Sequence, residues 1–257
     1  MRAATQHHYG PSPLQFGDFQ APADGASEPH PLIVNLHGGF WHATYDLAHA
    51  RPFCAGLRRT GWATLNLEYR RVGNDGGGWP GTFDDVAAGV ELVTGLVADG
   101  MVDPDRVALT GHSAGGHLAL WAAATTSVDL AGVVAVAAIT DLAAAHDAAL
   151  SDRGTAASDL LGGTPEQWPD RCRDASPITH VPMRMPSVLV HGSDDANVPL
   201  SQSRAFVDAD GHAGGSARLR IVAGEDHFAV LDPRSATFAA VTDELATMLA
   251  PAARTSR

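Results

Sequence analysis

Three segments of this sequence carry residue types that could perform acyl transfer. The stretch Val107 to Trp121, VALTGHSAGGHLALW, places Ser113 in a Gly-x-Ser-x-Gly turn between a short apolar run and an Ala-rich stretch. A serine hydroxyl is a weak nucleophile unless it is exposed, aligned and next to a base. A sharp strand-to-helix turn would lift the oxygen off the strand end, and Gly111 and Gly115 would let neighbouring backbone approach without Cβ clashes. A helix starting just after Ser113 would aim free N–H groups at developing negative charge. The pentapeptide alone is common; its strand–turn–helix setting gives it weight.

Downstream, PSVLVHGSDDANVP supplies Asp194 and Asp195 beyond one apolar run, and IVAGEDHF supplies His227 beyond the next. A histidine could take the serine proton while a carboxylate fixes its tautomer and stabilises the imidazolium. Successive side chains diverge, so one of the two aspartates should reach His227, and spacing does not choose between them. His191 precedes both acids and reads as structural. Upstream, LHGGFW (Leu36 to Trp41) has adjacent glycines that could turn amides into a cleft. The expected oxyanion donors are the N–H groups of Gly39 and Phe40, joined by Ala114. Trp41, His42, Trp79 and Trp168 are candidate pocket walls, since aromatic surfaces suit planar or apolar substrates. Trp41 could equally pack beneath the oxyanion loop. Glu68, Tyr69 and Arg70 are expected to buttress that loop, while Asp84 and Asp85 complement a helix dipole without a catalytic role.

These groups need elements to position them. Short apolar runs alternate with amphipathic stretches, which predicts a mostly parallel sheet with helices on both faces. Strands are expected at Pro31–His37, Ala63–Tyr69, Arg106–Thr110, Gly132–Ile139, Pro186–His191 and Arg218–Val222. Helices are expected at Asp46–Thr60, Thr82–Asp99, Ala114–Thr125, Leu200–Asp210 and Pro233–Leu249. Ala21 to Pro29 reads as a turn between N-terminal antiparallel strands. Residues 141–186, rich in Gly and Pro, read as a small insertion over the sheet edge rather than a separate domain.

Composition narrows the classes. The 257 residues fit one α/β domain, 1–257. Lys and Arg number 17 against 29 Asp and Glu, a net charge of −12 that opposes nucleic acid and anionic membranes as partners. The start has no apolar core like a secretory signal, so a cytoplasmic enzyme is the expectation. Cys54 and Cys172 are expected to be reduced structural thiols. The 13 histidines are scattered without ligand spacing, and His112 and His117 are five apart, so no metal is expected.

Together, HGGFW, GHSAGG, HGSDDANVP and DHF resemble the α/β-hydrolase superfamily, in the branch of kynurenine formamidases and related small esterases. The chain is also similar to bacterial feruloyl and acetyl esterase-like proteins. The likeness runs from YGPSPLQFGDF through EYRRVG and GGWPGTFDDV to DHF. It implies the α/β-hydrolase fold and hydrolysis of a small carboxylic ester or aryl formamide, without metal or organic cofactor. In the related pattern HG-x-x-D-x-x-V-P the acid is the fifth position, which here is Asp195. The implied partner is a small-molecule ester or amide, with room for a homodimer. Phe40 and Gly116 depart from the residues of several relatives without touching a catalytic atom. The competing readings are a non-catalytic ligand-binding protein on the same fold and a peptidase.

Overall fold

The central strands are apolar almost throughout because both faces of the sheet are covered. The computed structural model describes residues 4–151 and 153–251. Its strands are β1 (Thr5–His8), β2 (Phe16–Gln20), β3 (His30–Leu36), β4 (Ala63–Leu67), β5 (Val102–His112), β6 (Gly132–Val136), β7 (Ser187–Gly192) and β8 (Arg218–Val222). They form one sheet in the order β1-β2-β4-β3-β5-β6-β7-β8. β3 to β8 are parallel, and β2 runs against both its neighbours. The chain has the α/β-hydrolase fold, with the carboxyl ends of the parallel strands gathered at one edge.

Strand periodicity divides the core in two. Leu32, Val34 and Leu36 face α2 (Gly81–Ala98) and α3 (Ala114–Thr125), whereas Ile33 faces α1 (Arg51–Arg59) and α8 (Ala236–Met248). β6 repeats the pattern: Val133 and Ala135 lie on the first side, Val134 and Val136 on the second. Helix α7 (Ser201–His212) joins the first side through Phe206. Cys54 and Cys172 are both free and buried. Among the described residues no helix is long and apolar enough to cross a membrane.

Three expectations need correction. The expected helix from Asp46 is a 3₁₀ turn, Leu47–Ala50, capped by Asp46, and α1 starts only at Arg51. Pro52 explains the break: it cannot donate within a helix but suits the first turn of one. The segment 21–29 joins strands that run in opposite directions but do not pair: it leads from β2 to β3 past the intervening β4, so it is no hairpin turn. The N-terminal hairpin is β1–β2, closed at Tyr9 N and Gln15 O (3.1 Å). Residues 141–186 do not cover the sheet edge. They leave β6 in the sheet interior and form α4 (Leu142–Asp147), α5 (Ala156–Leu161) and α6 (Pro169–Ala175), of which α6 docks its end on α3 and α5 meets the chain before α2 through Trp79 N and Leu160 O. Leu142, Leu160, Cys172 and Ala175 join the same buried cluster as Leu118, because α3 is itself apolar on most sides and needs that cover.

Candidate active site

β5 runs directly into α3, and Ser113 sits between them at φ 59°, ψ −122°. This is costly backbone for a residue with a Cβ. Packing holds it. A Cβ on Gly115 would overlap the carbonyl of Leu36, and one on Gly111 would overlap the carbonyl of Gly115. Strand and helix therefore touch at the turn, and Ser113 N is pinned to Val136 O at 2.8 Å.

The loop after β3 is strained in the same sense. Gly39, Phe40 and Trp41 have φ of 114°, 51° and 58°. The amides of Gly39, Phe40 and Ala114 donate to no acceptor among the described residues. Gly39 and Phe40 line a cleft of about 430 Å³ together with Ser113 and His227. Ala114 lies buried behind the serine.

A buried carboxylate supports this loop. Glu68 Oε1 is 3.2 Å from His37 Nε2 and 3.0 Å from the Arg71 guanidinium, and Glu68 Oε2 accepts from Leu47 N at 3.1 Å. Burial opposes ionisation of Glu68, but the hydrogen bonds outweigh it and hold its carboxyl below the ordinary range. Tyr69 donates its hydroxyl to His37 O at 2.5 Å and stacks on the His37 ring at 4.4 Å. Glu68 and Tyr69 thus buttress the loop. Arg70 does not: it turns to Asp85 (Nη2–Oδ1 2.6 Å, Nε–Oδ2 2.8 Å), and the next residue, Arg71, reaches Glu68. The chain has left β4 at these residues, and the Arg71 side chain folds back on it, donating Nε–H to Tyr69 O at 3.1 Å on its way to Glu68. Asp85 does more than cap a helix dipole, since it is the buried anchor of Arg70.

Asp195 and His227 come from the loops after β7 and β8. Asp195 Oδ2 lies 2.7 Å from His227 Nδ1. Its Oδ1 accepts from Asn197 N (2.8 Å) and Val198 N (2.9 Å). Burial pushes the Asp195 carboxyl up, but hydrogen bonds from His191, His227 and Val198 dominate and hold it well below the usual carboxylate range. Asp194 points away and accepts from Ser193 Oγ at 2.7 Å. His191 is buried, bonded to Ser203 Oγ (2.8 Å) and Val198 O (3.0 Å), and 3.3 Å from Asp195 Oδ2. The structure therefore brings Asp195, rather than Asp194, to His227 and makes His191 a brace. Ser113 and His227 face the same cleft, although no hydrogen bond joins Ser113 Oγ to the ring here.

Residues 18–209 match the BD-FAE family. The chain belongs to that family. It is 29% identical over 220 residues to Esterase LipC of Mycobacterium tuberculosis, covering 78% of this chain and 53% of that protein. It is 28% identical over 197 residues to the probable carboxylic ester hydrolase LipM of the same organism, covering 69% and 44%. The chain spans about half the length of these curated relatives. Among solved structures, a truncated carbohydrate esterase from gut microbiota superposes with a TM-score of 0.84 at 23% identity, covering 98% of this chain and 97% of that one. Esterase B from Lactobacillus rhamnosis gives 0.81 at 20% identity, covering 96% and 84%. These likenesses show the shared fold.

The aromatic walls of this BD-FAE member differ from those expected. Trp41 is 1% exposed and packs beneath the loop after β3 instead of lining the cleft. Trp79 packs edge-on against Phe83 at 4.9 Å, drawn inward where α2 begins. Trp168 stands on the 141–186 segment, 41% exposed, under the Arg171 guanidinium at 3.7 Å, and lines no part of the cleft. His42 lines a neighbouring groove of about 700 Å³, with Nε2 3.2 Å from Asp159 Oδ2. The cleft walls are instead Phe40, Tyr45, His49, His112, Phe228 and Leu231. Phe228 was findable as the neighbour of His227. Tyr45 and His49 carry no sequence signal. His112 donates Nε2–H to His227 O at 2.7 Å, tying the His227 loop to the end of β5. Burial first, then the nearby His227 and His49, push its pKa well below the ordinary value, so the ring is neutral.

Proposed function

We propose that this chain is a carboxylic ester hydrolase that works through a Ser113 acyl-enzyme. The observation that carries the proposal is the strained Ser113 elbow sharing one cleft with a His227–Asp195 pair 2.7 Å apart. His227 Nε2 takes the Ser113 proton as Oγ attacks the ester carbonyl. Asp195 keeps Nδ1 protonated and stabilises the imidazolium. The amides of Gly39, Phe40 and Ala114, which have no protein acceptor among the described residues, receive the oxyanion. One such donor is worth about 3 kcal/mol of transition-state stabilisation. His227 then protonates the departing alcohol, and water attacks the acyl-enzyme by the reverse relay.

The esterase names of LipC and LipM favour an ester over the aryl formamide suggested by the HGG-x-W motif. The walls of the site favour a two-part substrate. Phe40, Phe228 and Leu231 make the cleft around Ser113 apolar and suit the acyl group. The adjoining groove, with Arg153, Asp159 and His42, suits a polar alcohol.

The test is Ser113→Ala with p-nitrophenyl acetate, where kcat/KM should fall by at least ~10³-fold. A fluorophosphonate should label the parent and not the variant. Undiminished turnover by Ser113→Ala would overturn the assignment, and a parent that resists labelling would return the chain to the ligand-binding reading. Faster turnover of N-formylkynurenine than of short esters would restore the formamidase reading.

A further inference from the structure

Trp41 and His117 belong to the two most distinctive motifs of the sequence, HGGFW and GHSAGGH, yet neither touches the cleft. Both are fully enclosed, Trp41 at 1% and His117 at 0% exposure. They touch each other: the indole Nε1–H donates to His117 Nδ1 at 3.2 Å, with the rings edge-on at 4.9 Å. On its far side, His117 Nε2 lies 2.9 Å from the carbonyl oxygen of Ala175, the last residue of α6.

The chemistry of the three partners fixes the protons. An indole N–H only donates, so His117 Nδ1 must be a bare acceptor. A carbonyl only accepts, so His117 Nε2 must carry the hydrogen. Both demands select the same neutral tautomer. Burial works the same way, pushing the His117 pKa down to about 3. The Ala175 carbonyl is one of the orphan acceptors that every helix leaves at its carboxyl end. One turn further along α3, Trp121 serves the neighbouring Asp174 carbonyl at 3.0 Å. α6 therefore docks on α3 through its own unpaired carbonyls.

At the other end of this chain stands the oxyanion loop. Trp41 ends a run of three left-handed residues, two of which bear side chains. Such backbone persists only where its surroundings over-determine it. Trp41 O accepts from Val72 N at 2.8 Å, and the indole supplies the second, side-chain anchor.

We propose that His117 is a positioning residue for the oxyanion donors: through Trp41 it holds Gly39 and Phe40 in their strained conformation, and through Ala175 it makes the docking of residues 141–186 part of the same support. This rests on the esterase reading above. It gives the 141–186 segment a role in transition-state binding although its α6 lines no part of the cleft.

The wild-type protein tests the proton assignment directly. Imidazole ¹⁵N spectra should show His117 neutral, protonated at Nε2, and unchanged across mildly acidic pH; the opposite tautomer overturns the chain. Trp41→Phe keeps an aromatic filler and removes only the N–H. It should lower kcat for p-nitrophenyl acetate about tenfold with KM within about twofold, since misplacing a donor is felt in the transition state. The inhibition constant of a short alkylboronic acid, whose tetrahedral adduct on Ser113 mimics the intermediate, should rise by a similar factor. His117→Asn keeps an acceptor for Trp41 and should recover part of the kcat lost in His117→Leu. A role in packing alone would lower the melting temperature of Trp41→Phe while leaving kcat and boronate binding at parental values, and that result overturns the proposal. Ser113→Ala run in parallel separates the two ideas. If it stays active, the esterase reading falls and this inference with it; if it is inactive while Trp41→Phe is unimpaired, only this inference falls.

Discussion

The two halves of the cleft are held by different means. The half that carries Ser113 and the loop proposed to bind the oxyanion stands on β3 and β5 in the middle of the sheet, with left-handed backbone at Phe40, Trp41 and Ser113. Each such residue costs on the order of 1–3 kcal/mol, offset by close glycine packing around it. The half that carries the Asp195–His227 pair stands on β7 and the edge strand β8, and the residue after His227, Phe228, is 51% exposed. There the geometry depends on side-chain hydrogen bonds: His227, Asn197 N and Val198 N converge on Asp195. Packing makes the first half intolerant of added atoms. Charge makes the second half sensitive to lost partners and to pH.

The largest effect should come from adding one methyl group to the first half. In Gly115→Ala the new Cβ meets the Leu36 carbonyl, a backbone atom with no rotamer to escape into. We expect a loss of roughly 3 kcal/mol or more in urea unfolding, together with loss of activity. A variant as stable as its parent would show that packing does not hold the elbow.

Asp195→Asn comes next, since it keeps the shape and removes the charge. It should lower kcat by ~10⁴-fold through the wrong tautomer, while Asp194→Asn stays within about twofold. Equal, minor losses would break the assignment of Asp195. A linked effect appears in stability. The folded Asp195 carboxyl is held below its unfolded value of ~3.9, so its contribution is complete above that pH. As pH falls below ~3.9, the unfolded state takes up the proton first, and the contribution drains away toward the folded pKa. Melting temperatures between pH 7 and pH 3 should therefore fall more steeply for the parent than for Asp195→Asn.

The smallest effects sharpen the outline of the cleft. Phe228→Ala should raise KM a few-fold by removing a half-exposed apolar wall, about 0.5–1 kcal/mol of burial. Trp168→Ala should leave kcat and KM for the same ester at parental values. A rise in KM for Trp168→Ala would extend the part of 141–186 that meets substrate from Arg153 and Asp159 to the start of α6.

Much of this was legible in one dimension. The alternation of apolar runs located the parallel strands and their helices, because strand period and helix period leave different marks on a sequence. The Gly-Ser-Gly turn was legible because only glycine fits where strand and helix backbones touch. The aromatic walls were not. Tryptophan marks an apolar environment without saying whether that environment is core or cleft: Trp41 went to the core, and Trp79, half-buried, packs against it. The buttress was off by one residue, Arg71 for Arg70, because the chain has left β4 there and folds back on itself, so strand alternation no longer tells which side chain turns in.

The sequence by itself determined which residue types stand at which strand ends, and in what order. Those features are local: a turn that excludes Cβ atoms, apolar runs of strand length, an acid and a histidine each just past such a run. Residue spacing left the two aspartates open and only the family pattern pointed to Asp195; tertiary structure brings that residue to His227, and it alone decided which side chains line the cleft beside Ser113 and what braces the loop after β3. Such contacts join residues 32, 76 or 115 positions apart, and they follow from strand order and side-chain direction after folding.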